Sequence, residues 1–395
     1  TRTFTGAYFE PQGAFNIADN SMAPANGRYI GPWPRTGVPG ATHGGNKFDL
    51  TKWNDAYFGR LRDFVRQAGQ RGVIVELNLF CPFSAEAQWR LSPMNAINNV
   101  NNLGNIPRTN VYTLDKSAGL LAVHEALVKK IILELNQFDN LYYEICNEPY
   151  FGGVTLEWQR RIADVITEAE RPLPNKHLIS QNIANGSELV VNPHPAVSIF
   201  NFHYATPPDA VAKNYHLNKP IGDNETGFKG TNDLAYRREA WEFILAGGAL
   251  FNNLDYSFTA RHPGGTFVNY PANQPGGGNP QFREQLRTLK NFITKFDFVK
   301  MAPAPNVVKA GIPPGATVRA LAQLGQAYAI YVGPSAAEKK DPGAKRPTGP
   351  QTARLVLDLP SGEYVARWVN PRTGVITKPQ TFQARRDAAT LTSPP

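Results

Sequence analysis

The sequence predicts an α/β fold, a β/α (TIM) barrel over residues 1–300, followed by a small β-sandwich over residues 301–395. Three observations support this. Apolar, β-rich runs alternate with helical patterns in the first 300 residues. Polar residues follow the ends of those runs, where such barrels carry their reactive groups. Beyond residue 300 the helical periodicity is lost, and short strand patterns separated by turn residues replace it.

The sequence contains seven candidate strands for the predicted barrel. The clearest is GVIVELNLF at 72–80, which follows an amphipathic helical pattern over 53–70. The seven runs are 1–4, 72–80, 141–146, 177–182, 197–203, 220–225 and 249–255. Helical patterns follow at 120–136, 156–171, 234–246 and 283–296. A doubly wound sheet is the rival architecture, but no GxGxxG follows a strand, so the barrel is favoured.

The tail is predicted to be a separate all-β domain. Prolines at 303, 305, 313 and 314 mark a linker, and strand patterns follow at 317–323, 327–332, 353–359 and 364–369. The segment 335–351 is rich in Pro, Gly, Lys and Arg, which predicts an exposed loop.

Composition excludes several classes of protein. With 42% hydrophobic and 18% charged residues, the chain is predicted to be globular, and no apolar run is long enough to span a membrane. The net charge is +9, but the basic residues are dispersed, which disfavours nucleic-acid binding. Two cysteines cannot build a disulfide framework or a four-cysteine zinc site, and HExxH, CxxC and GxxxxGK[ST] are absent. We therefore predict no metal and no cofactor.

Two carboxylates are the leading candidates for chemistry. Glu148 follows the strand in YYEICNEP, and Glu225 ends the strand in PIGDNETGF. Two opposed carboxylates at a barrel mouth can act as acid and base, or as acid and nucleophile, on a glycosidic bond. A single Glu at a strand end often only caps the next helix, but this pairing is more specific. Strand alternation places Glu144 and Asp223 deeper in the barrel, where Arg2 is a candidate partner.

Other polar and aromatic residues are weaker candidates. His203 alone is more typical of a structural histidine. Trp33 and Trp89 lie in loop segments and are predicted to stack on sugar rings, whereas Trp53, Trp158 and Trp241 are expected in the core. The cysteines, at 81 and 146, are predicted to be free and packed.

The motifs ICNEPYFGG and DNETGF resemble the retaining glycoside hydrolases of clan A, the cellulase and β-glycanase superfamily. That resemblance implies that Glu148 is the acid/base, that Glu225 is the nucleophile and that Asn147 binds the sugar 2-hydroxyl. His203 and Tyr204 resemble the family's His-x-Tyr region without the intervening residue. Arg2 resembles the arginine that supports the nucleophile.

The sequence departs from that family at the end of its eighth strand. Many relatives carry a Trp there, but this chain reads NNLDYSFTA, so Asp255 and Tyr256 are expected to form that surface. In the family, Asn-Glu-Pro ends the fourth barrel strand. Counting back makes 72–80 strand three and 1–4 strand two, which predicts that the first strand of the barrel is absent from this chain.

The ending GEYVARWVNPRTG resembles the small sandwich domain that follows the barrel in apiosidase-like hydrolases and is named for collagen binding. Collagen binding does not follow from a likeness of fold.

The resemblance implies a secreted or periplasmic bacterial enzyme that cleaves a β-linked oligo- or polysaccharide with retention. The carboxyl groups of Glu148 and Glu225 are then expected roughly 5 Å apart. The sequon Asn224-Glu225-Thr226 favours bacteria, since glycan there would block the nucleophile. The alternatives are a non-catalytic carbohydrate-binding protein on a degenerate barrel and a collagen- or protein-processing factor.

Overall fold

The structure, a computed structural model, describes residues 1–335, 351–385 and 389–394. The loop predicted at 335–351 lies almost wholly outside these residues. The chain contacts divide it into two compact units, which are described separately. Unit 1 comprises Thr1–Ala184, Val190–Phe202 and Thr259–Arg261. Unit 2 comprises Asn185–Leu189, His203–Phe258 and His262–Pro395.

Unit 1 is built from strands and helices in alternation, with the last residues of β6 and β7 counted in unit 2. Its strands are β1 (Arg2–Phe4), β2 (Arg35–Pro39), β3 (Asn46–Phe48), β4 (Val75–Phe80), β5 (Leu141–Cys146), β6 (Ile179–Asn185) and β7 (Val197–His203). Its helices are α1 (Asp55–Gly69), α2 (Glu86–Leu91), α3 (Leu120–Leu135) and α4 (Leu156–Glu170).

Burial explains why the strands of unit 1 read as predominantly apolar runs. Every residue of β4 and of β5 is buried, as expected for parallel strands covered on both faces. The flanking helices begin at side-chain caps: Asn54 accepts from the Tyr57 amide at α1, and Thr155 accepts from the Trp158 amide at α4. The strands at 72–80 and 141–146 and the helices after them are confirmed.

Unit 2 contains the remaining elements. Its strands are β8 (Ile221–Glu225), β9 (Leu250–Phe251), β10 (Ala302–Pro303), β11 (Val308–Ala310), β12 (Ala316–Gln323), β13 (Ala327–Pro334), β14 (Arg354–Leu357), β15 (Gly362–Ala366), β16 (Gln380–Ala384) and β17 (Ala389–Thr392). Its helices are α5 (Asp209–Asn214), α6 (Asp233–Leu245) and α7 (Pro280–Ile293).

The main sheet has seven strands in the order β1-β4-β5-β6-β7-β8-β9. The pairs β1–β4, β4–β5, β5–β6 and β8–β9 are parallel. These are the seven strands predicted for residues 1–300. Only β9 is much shorter than expected: past Phe251 the ladder becomes irregular, although Asn252 and Leu254 still donate backbone hydrogen bonds to Asp223 and Thr226.

The C-terminal strands form three small antiparallel sheets, β10-β12-β13, β11-β14-β17 and β15-β16. Trp241 of α6 and Leu289 of α7 pack against Leu321 and Tyr331 of β12 and β13, so the first of these sheets is anchored on the helices of unit 2. A second core joins β11, β14 and β17. The short strands predicted for the tail are confirmed and pair as antiparallel sheets, whereas the sandwich and the boundary at residue 300 stay predictions. Across the described residues, no helix combines the length and apolar character that a bilayer crossing needs.

Candidate active site

A buried network of charged side chains joins strands β1, β4 and β5 of unit 1. Arg2 of β1 donates from Nε to Glu76 Oε1 and from Nη2 to Glu144 Oε1, each at 2.9 Å. Tyr142 donates to the second oxygen of Glu76 at 2.6 Å. The second oxygen of Glu144 accepts from Ser180 at 3.0 Å and from Asn201 at 2.8 Å. The prediction that Arg2 partners a deep carboxylate is therefore confirmed for Glu144.

The same guanidinium fixes the orientation of Asn147. Arg2 Nη2 also donates to Asn147 Oδ1, and the Asn147 amide nitrogen lies 3.5 Å from the sulfur of Cys81. Because Arg2 carries only donors, the oxygen of the Asn147 amide must be the atom that faces it. Arg2 thereby links the two acids inside the sheet to the residue beside Glu148.

Glu148 follows β5 directly and has a left-handed backbone, with φ of +39°. Non-glycine residues rarely adopt this conformation, and in other proteins such strain concentrates at functional sites. Tyr150 donates to Glu148 Oε1 at 3.3 Å. The following loop is held close to the body of unit 1, since a Cβ at Gly153 (φ +80°) would overlap the carbonyl of Thr109.

One buried group near Glu148, Tyr8, was not predicted. Tyr8 is buried and accepts from Gln88 Nε2 at 2.9 Å. Burial, with the negative groups Glu10 and Glu148 nearby, holds the pKa of Tyr8 well above its usual value. Burial likewise raises the pKa of the Cys81 thiol, and both cysteines are free and buried, as expected. Tyr8 lies in a loop whose sequence carries no motif, so only tertiary structure reveals it.

In unit 2, Glu225 ends β8 and is held by the residues that end β7. Tyr204 donates from its hydroxyl to Glu225 Oε1 at 2.6 Å, and the Tyr204 amide donates to the Glu225 carbonyl at 2.8 Å. His203 is buried, with Nδ1 3.8 Å from Glu225 Oε2. The side chain of Glu225 remains 13% exposed. The structure thus brings together three of the predicted site residues, His203, Tyr204 and Glu225.

Asp223 lies two residues before Glu225 and is fully buried. Burial, reinforced by the negative charge of Glu225, raises the pKa of Asp223 well above its usual value. The backbone amides of Ala205 and Tyr204 and the charge of Lys229 act in the opposite direction and do not cancel this effect. Asp223 is therefore expected to remain protonated under conditions in which exposed carboxylates are ionised.

The loop after Glu225 is anchored to α6. Thr226 donates to Glu239 Oε2 at 2.6 Å, and Lys229 forms an ion pair with the other oxygen of the same buried carboxylate. Tyr236 accepts from the Lys229 amide at 3.0 Å and donates to the Gly230 carbonyl at 2.8 Å. These contacts tie the loop after Glu225 to α6 at several points.

The predicted stacking role of Trp33 and Trp89 is corrected. Trp33 is 1% exposed and Trp89 is 2% exposed, so neither indole offers a face to a ligand. Trp89 packs against Phe83 and donates to the carbonyl of Ile106 at 3.0 Å. Both lie in connecting segments that fold inward, because large aromatic side chains contribute more as core than as surface.

Asp255 is engaged in structural contacts. It accepts from Arg283 at 2.9 Å and from the Ser257 hydroxyl at 2.5 Å, while Tyr256 is half-buried beside Gly276. A sugar-binding role for Asp255 and Tyr256 stays a prediction.

Exposed aromatic residues lie instead directly after the two glutamate motifs. Phe151 follows Asn-Glu-Pro-Tyr and Phe228 follows Asn-Glu-Thr-Gly, and both rings are exposed. The sequence analysis did not single out these two residues, although their position beside the motifs could have indicated them as candidates for stacking on a sugar. The absence of a metal stays a prediction.

Comparison with known proteins adds the fold family. Residues 22–126 match a family model described as a domain of unknown function, DUF6298. No curated protein sequence shows a significant match. Among solved structures, a Bacteroides vulgatus protein to which glycoside hydrolase activity has been attributed is 14% identical, with a TM-score of 0.54 over 81% of this chain and 56% of its own. A family 5 glycoside hydrolase from the same species is 12% identical, with a TM-score of 0.54 over 88% and 75%.

The chain has the TIM-barrel-like fold of these glycoside hydrolases. It spans little more than half of the length of the first of them. At this level of identity the likeness concerns the fold alone, and the chemistry has to be argued from the residues.

Proposed function

We propose that this protein is a retaining glycoside hydrolase that cleaves a β-linked glycan, with Glu148 as the acid/base and Glu225 as the nucleophile. The observation that carries the proposal is the setting of Glu225. It is a partly exposed carboxylate at the end of a parallel strand, with a phenol hydroxyl donating to it at 2.6 Å. Such a donor stabilises the ionised form that a nucleophile requires.

In the first step, a carboxylate oxygen of Glu225 attacks the anomeric carbon. The glycosidic carbon–oxygen bond breaks, and the proton of Glu148 passes to the leaving oxygen. In the second step, Glu148 takes a proton from water, and the water oxygen displaces Glu225 from the anomeric carbon. Asn147, oriented by Arg2, presents its amide nitrogen away from the guanidinium and is proposed to bind the sugar.

Three features support this assignment beside the setting of Glu225. Glu148 also follows a strand of the parallel sheet, at the type of position where β/α barrels hold catalytic groups. Its left-handed backbone is the kind of strain that functional sites retain. The fold is shared with glycoside hydrolases. The β-linked glycan, the retention and the secreted or periplasmic location belong to the proposal as expectations from the resemblance of the motifs.

The test is hydrolysis of a panel of aryl β-glycosides and β-linked polysaccharides by the wild type and three variants. Glu225→Ala is expected to lower kcat on the order of 10⁴-fold or more, and azide is expected to restore turnover with an inverted glycosyl azide product. Glu148→Ala should spare substrates with good leaving groups more than poor ones. Glu157→Ala, which removes an exposed glutamate of α4, is the matched control.

Full activity of either site variant would contradict the assignment. Binding of glycans without any turnover by the wild type would favour the non-catalytic carbohydrate-binding alternative. In a crystal structure of the active enzyme, the two carboxyl groups should lie roughly 5 Å apart, and roughly 6.5–9.5 Å would indicate inversion.

A further inference from the structure

Unit 2 contains a cavity of about 520 Å³ that the proposed reaction does not use. Two loops form it: the loop after β8, with Phe228 and Thr231, and a segment before α7, with Tyr270, Asn273 and Gln274. Its volume falls within the range of small-molecule sites, roughly 300–1,000 Å³. We call it the Gln274 cavity.

The aromatic wall of this cavity is connected to the candidate nucleophile. The Phe228 ring, 61% exposed, meets the Tyr204 ring edge-to-face with centroids 5.7 Å apart. Tyr204 in turn donates to Glu225. A ligand that covered Phe228 would therefore lie one side chain away from the residue that holds the nucleophile.

Both walls are fixed before any ligand arrives. Phe228 has φ of +60° and lies between Thr226 and Lys229, which are both tied to Glu239. On the opposite wall, Tyr270 donates to the carbonyl of Gly278 at 2.7 Å. The two loops touch where a Cβ at Gly277 would overlap the carbonyl of Gly230. A rigid exposed ring loses little conformational freedom when it binds a ligand.

Gln274 provides a second, independent observation. It lines the cavity and is only 5% exposed, yet neither its amide nitrogen nor its amide oxygen has a hydrogen-bond partner among the residues that the structure describes. A buried amide without partners is costly, and its persistence in a native structure calls for an explanation. One amide offers a donor and an acceptor side by side, which matches a pair of neighbouring hydroxyl groups.

We propose that the Gln274 cavity binds one sugar residue of the substrate other than the residue attacked by Glu225. The sugar ring packs its C–H face on Phe228, and two of its hydroxyls pair with the Gln274 amide after a small shift of that side chain. The occupant is a neutral carbohydrate, because the polar groups named here carry no net charge. This inference rests on the proposed function, since it takes the ligand to be part of the glycan that is cleaved.

The experiment measures binding without turnover. Cellobiose, mannobiose and xylobiose are titrated by calorimetry into the full chain carrying Glu148→Ala, alone and combined with Phe228→Ala or Gln274→Leu. We expect at least one disaccharide to bind, and each second substitution to weaken its Kd about tenfold or more. Tyr215→Ala is the matched control, because Tyr215 is also an exposed aromatic of unit 2 but packs near Gly247, before β9 begins.

Thermal unfolding without sugar separates a binding role from a structural one. Gln274→Leu should leave Tm unchanged or raise it, because no described hydrogen bond is lost. A clear fall in Tm would indicate that Gln274 stabilises the fold, and it would overturn the proposal that Gln274 binds the sugar. Failure of the chain to bind any of the three disaccharides, or equal binding by both variants, would overturn the proposal. Neither result depends on turnover, so the assignment of Glu148 and Glu225 is tested separately.

Discussion

Tyr204 holds Glu225 twice, through a side-chain hydrogen bond of 2.6 Å to the carboxylate and a backbone hydrogen bond of 2.8 Å to the carbonyl. Tyr204 itself has a left-handed backbone, with φ of +52°. The left-handed turn at Tyr204 therefore sets the direction from which its phenol hydroxyl approaches the Glu225 carboxylate. This relationship gives the first of four predictions.

Tyr204→Phe should lower kcat about 10–100-fold, because it removes one donor to the charge of the nucleophile. The acid limb of the pH–rate profile should move to higher pH, since the hydrogen bond favours the ionised carboxylate. Steady-state kinetics across pH 4–9 measure both effects, and Tyr215→Phe is the control. An unchanged acid limb would mean that the phenol only packs against Glu225.

Asp223→Asn tests whether a protonated acid lies beneath the nucleophile. The folded pKa of Asp223 is raised by burial, whereas in the unfolded chain it is close to 3.8. The unfolded state therefore releases its proton first, and this residue costs stability as pH rises from about 4 towards the folded pKa. The variant should lose less stability over that range than the wild type and keep its activity near neutral pH.

Urea unfolding at several pH values measures this difference, with Asp297→Asn, which replaces an exposed aspartate, as the control. If wild type and variant showed the same pH dependence of unfolding free energy, Asp223 would have to be ionised in the folded protein.

Removal of Arg2 should be strongly destabilising. Arg2→Met leaves Glu76 and Glu144 buried without their cation, and breaking a buried pair in this way costs about 3–5 kcal/mol. Adding Glu144→Gln should recover part of that loss, because it removes one of the stranded charges. Urea unfolding of wild type, Arg2→Met, Glu144→Gln and the double variant gives the comparison, and additive effects would argue against coupling between Arg2 and Glu144.

His177 should give a separate, purely structural pH dependence in unit 1. Burial by itself lowers the pKa of His177, but Glu170 at 2.5 Å and the carbonyl of Phe138 at 2.6 Å outweigh it, so the pKa is raised. The stabilisation is then fully present below the unfolded pKa of about 6.5 and is lost as pH rises through the folded pKa.

The difference in unfolding free energy between wild type and His177→Gln should accordingly be largest at pH 5.5 and shrink by pH 8.5. Equal differences at the two pH values would show that folding does not raise the pKa of His177. Activity towards glycosides should be unaffected, since His177 lies just before β6 begins, at the amino end of that strand rather than at a carboxyl end.

The features that the sequence predicted well, the strands of the main sheet and the two glutamate motifs, depend on local sequence patterns. Runs such as LYYEIC at 141–146 are mostly apolar because their strands are covered on both faces, so composition and length identify them even though Glu144 lies within this run. The two glutamates could be singled out because each stands in a distinctive motif at a strand end. The seven strands of the main sheet followed from the same patterns, whereas the separate β2–β3 pair was not predicted.

What the sequence missed depends on tertiary packing. Whether a loop tryptophan such as Trp89 faces solvent or the core is decided by segments distant in sequence. The bond between Tyr204 and Glu225 needs a left-handed turn that no motif encodes. Strands of two to five residues at the C-terminus, such as β10 and β16, are too short for periodicity to reveal.

The double attachment of Glu225 to Tyr204 has a further consequence for how the site tolerates change. If Tyr204 were bonded to Glu225 at one point only, the loop after β7 could rotate about that bond. Because both the backbone and the side chain of Tyr204 are bonded to Glu225, this loop must move together with the end of β8. Insertions or substitutions between residues 205 and 208 would therefore be transmitted to the position of the nucleophile. Substitutions in residues 205–208 should therefore change kcat more than they change the affinity for substrate. Engineering of substrate preference is better directed at the Gln274 cavity, which Phe228 also lines.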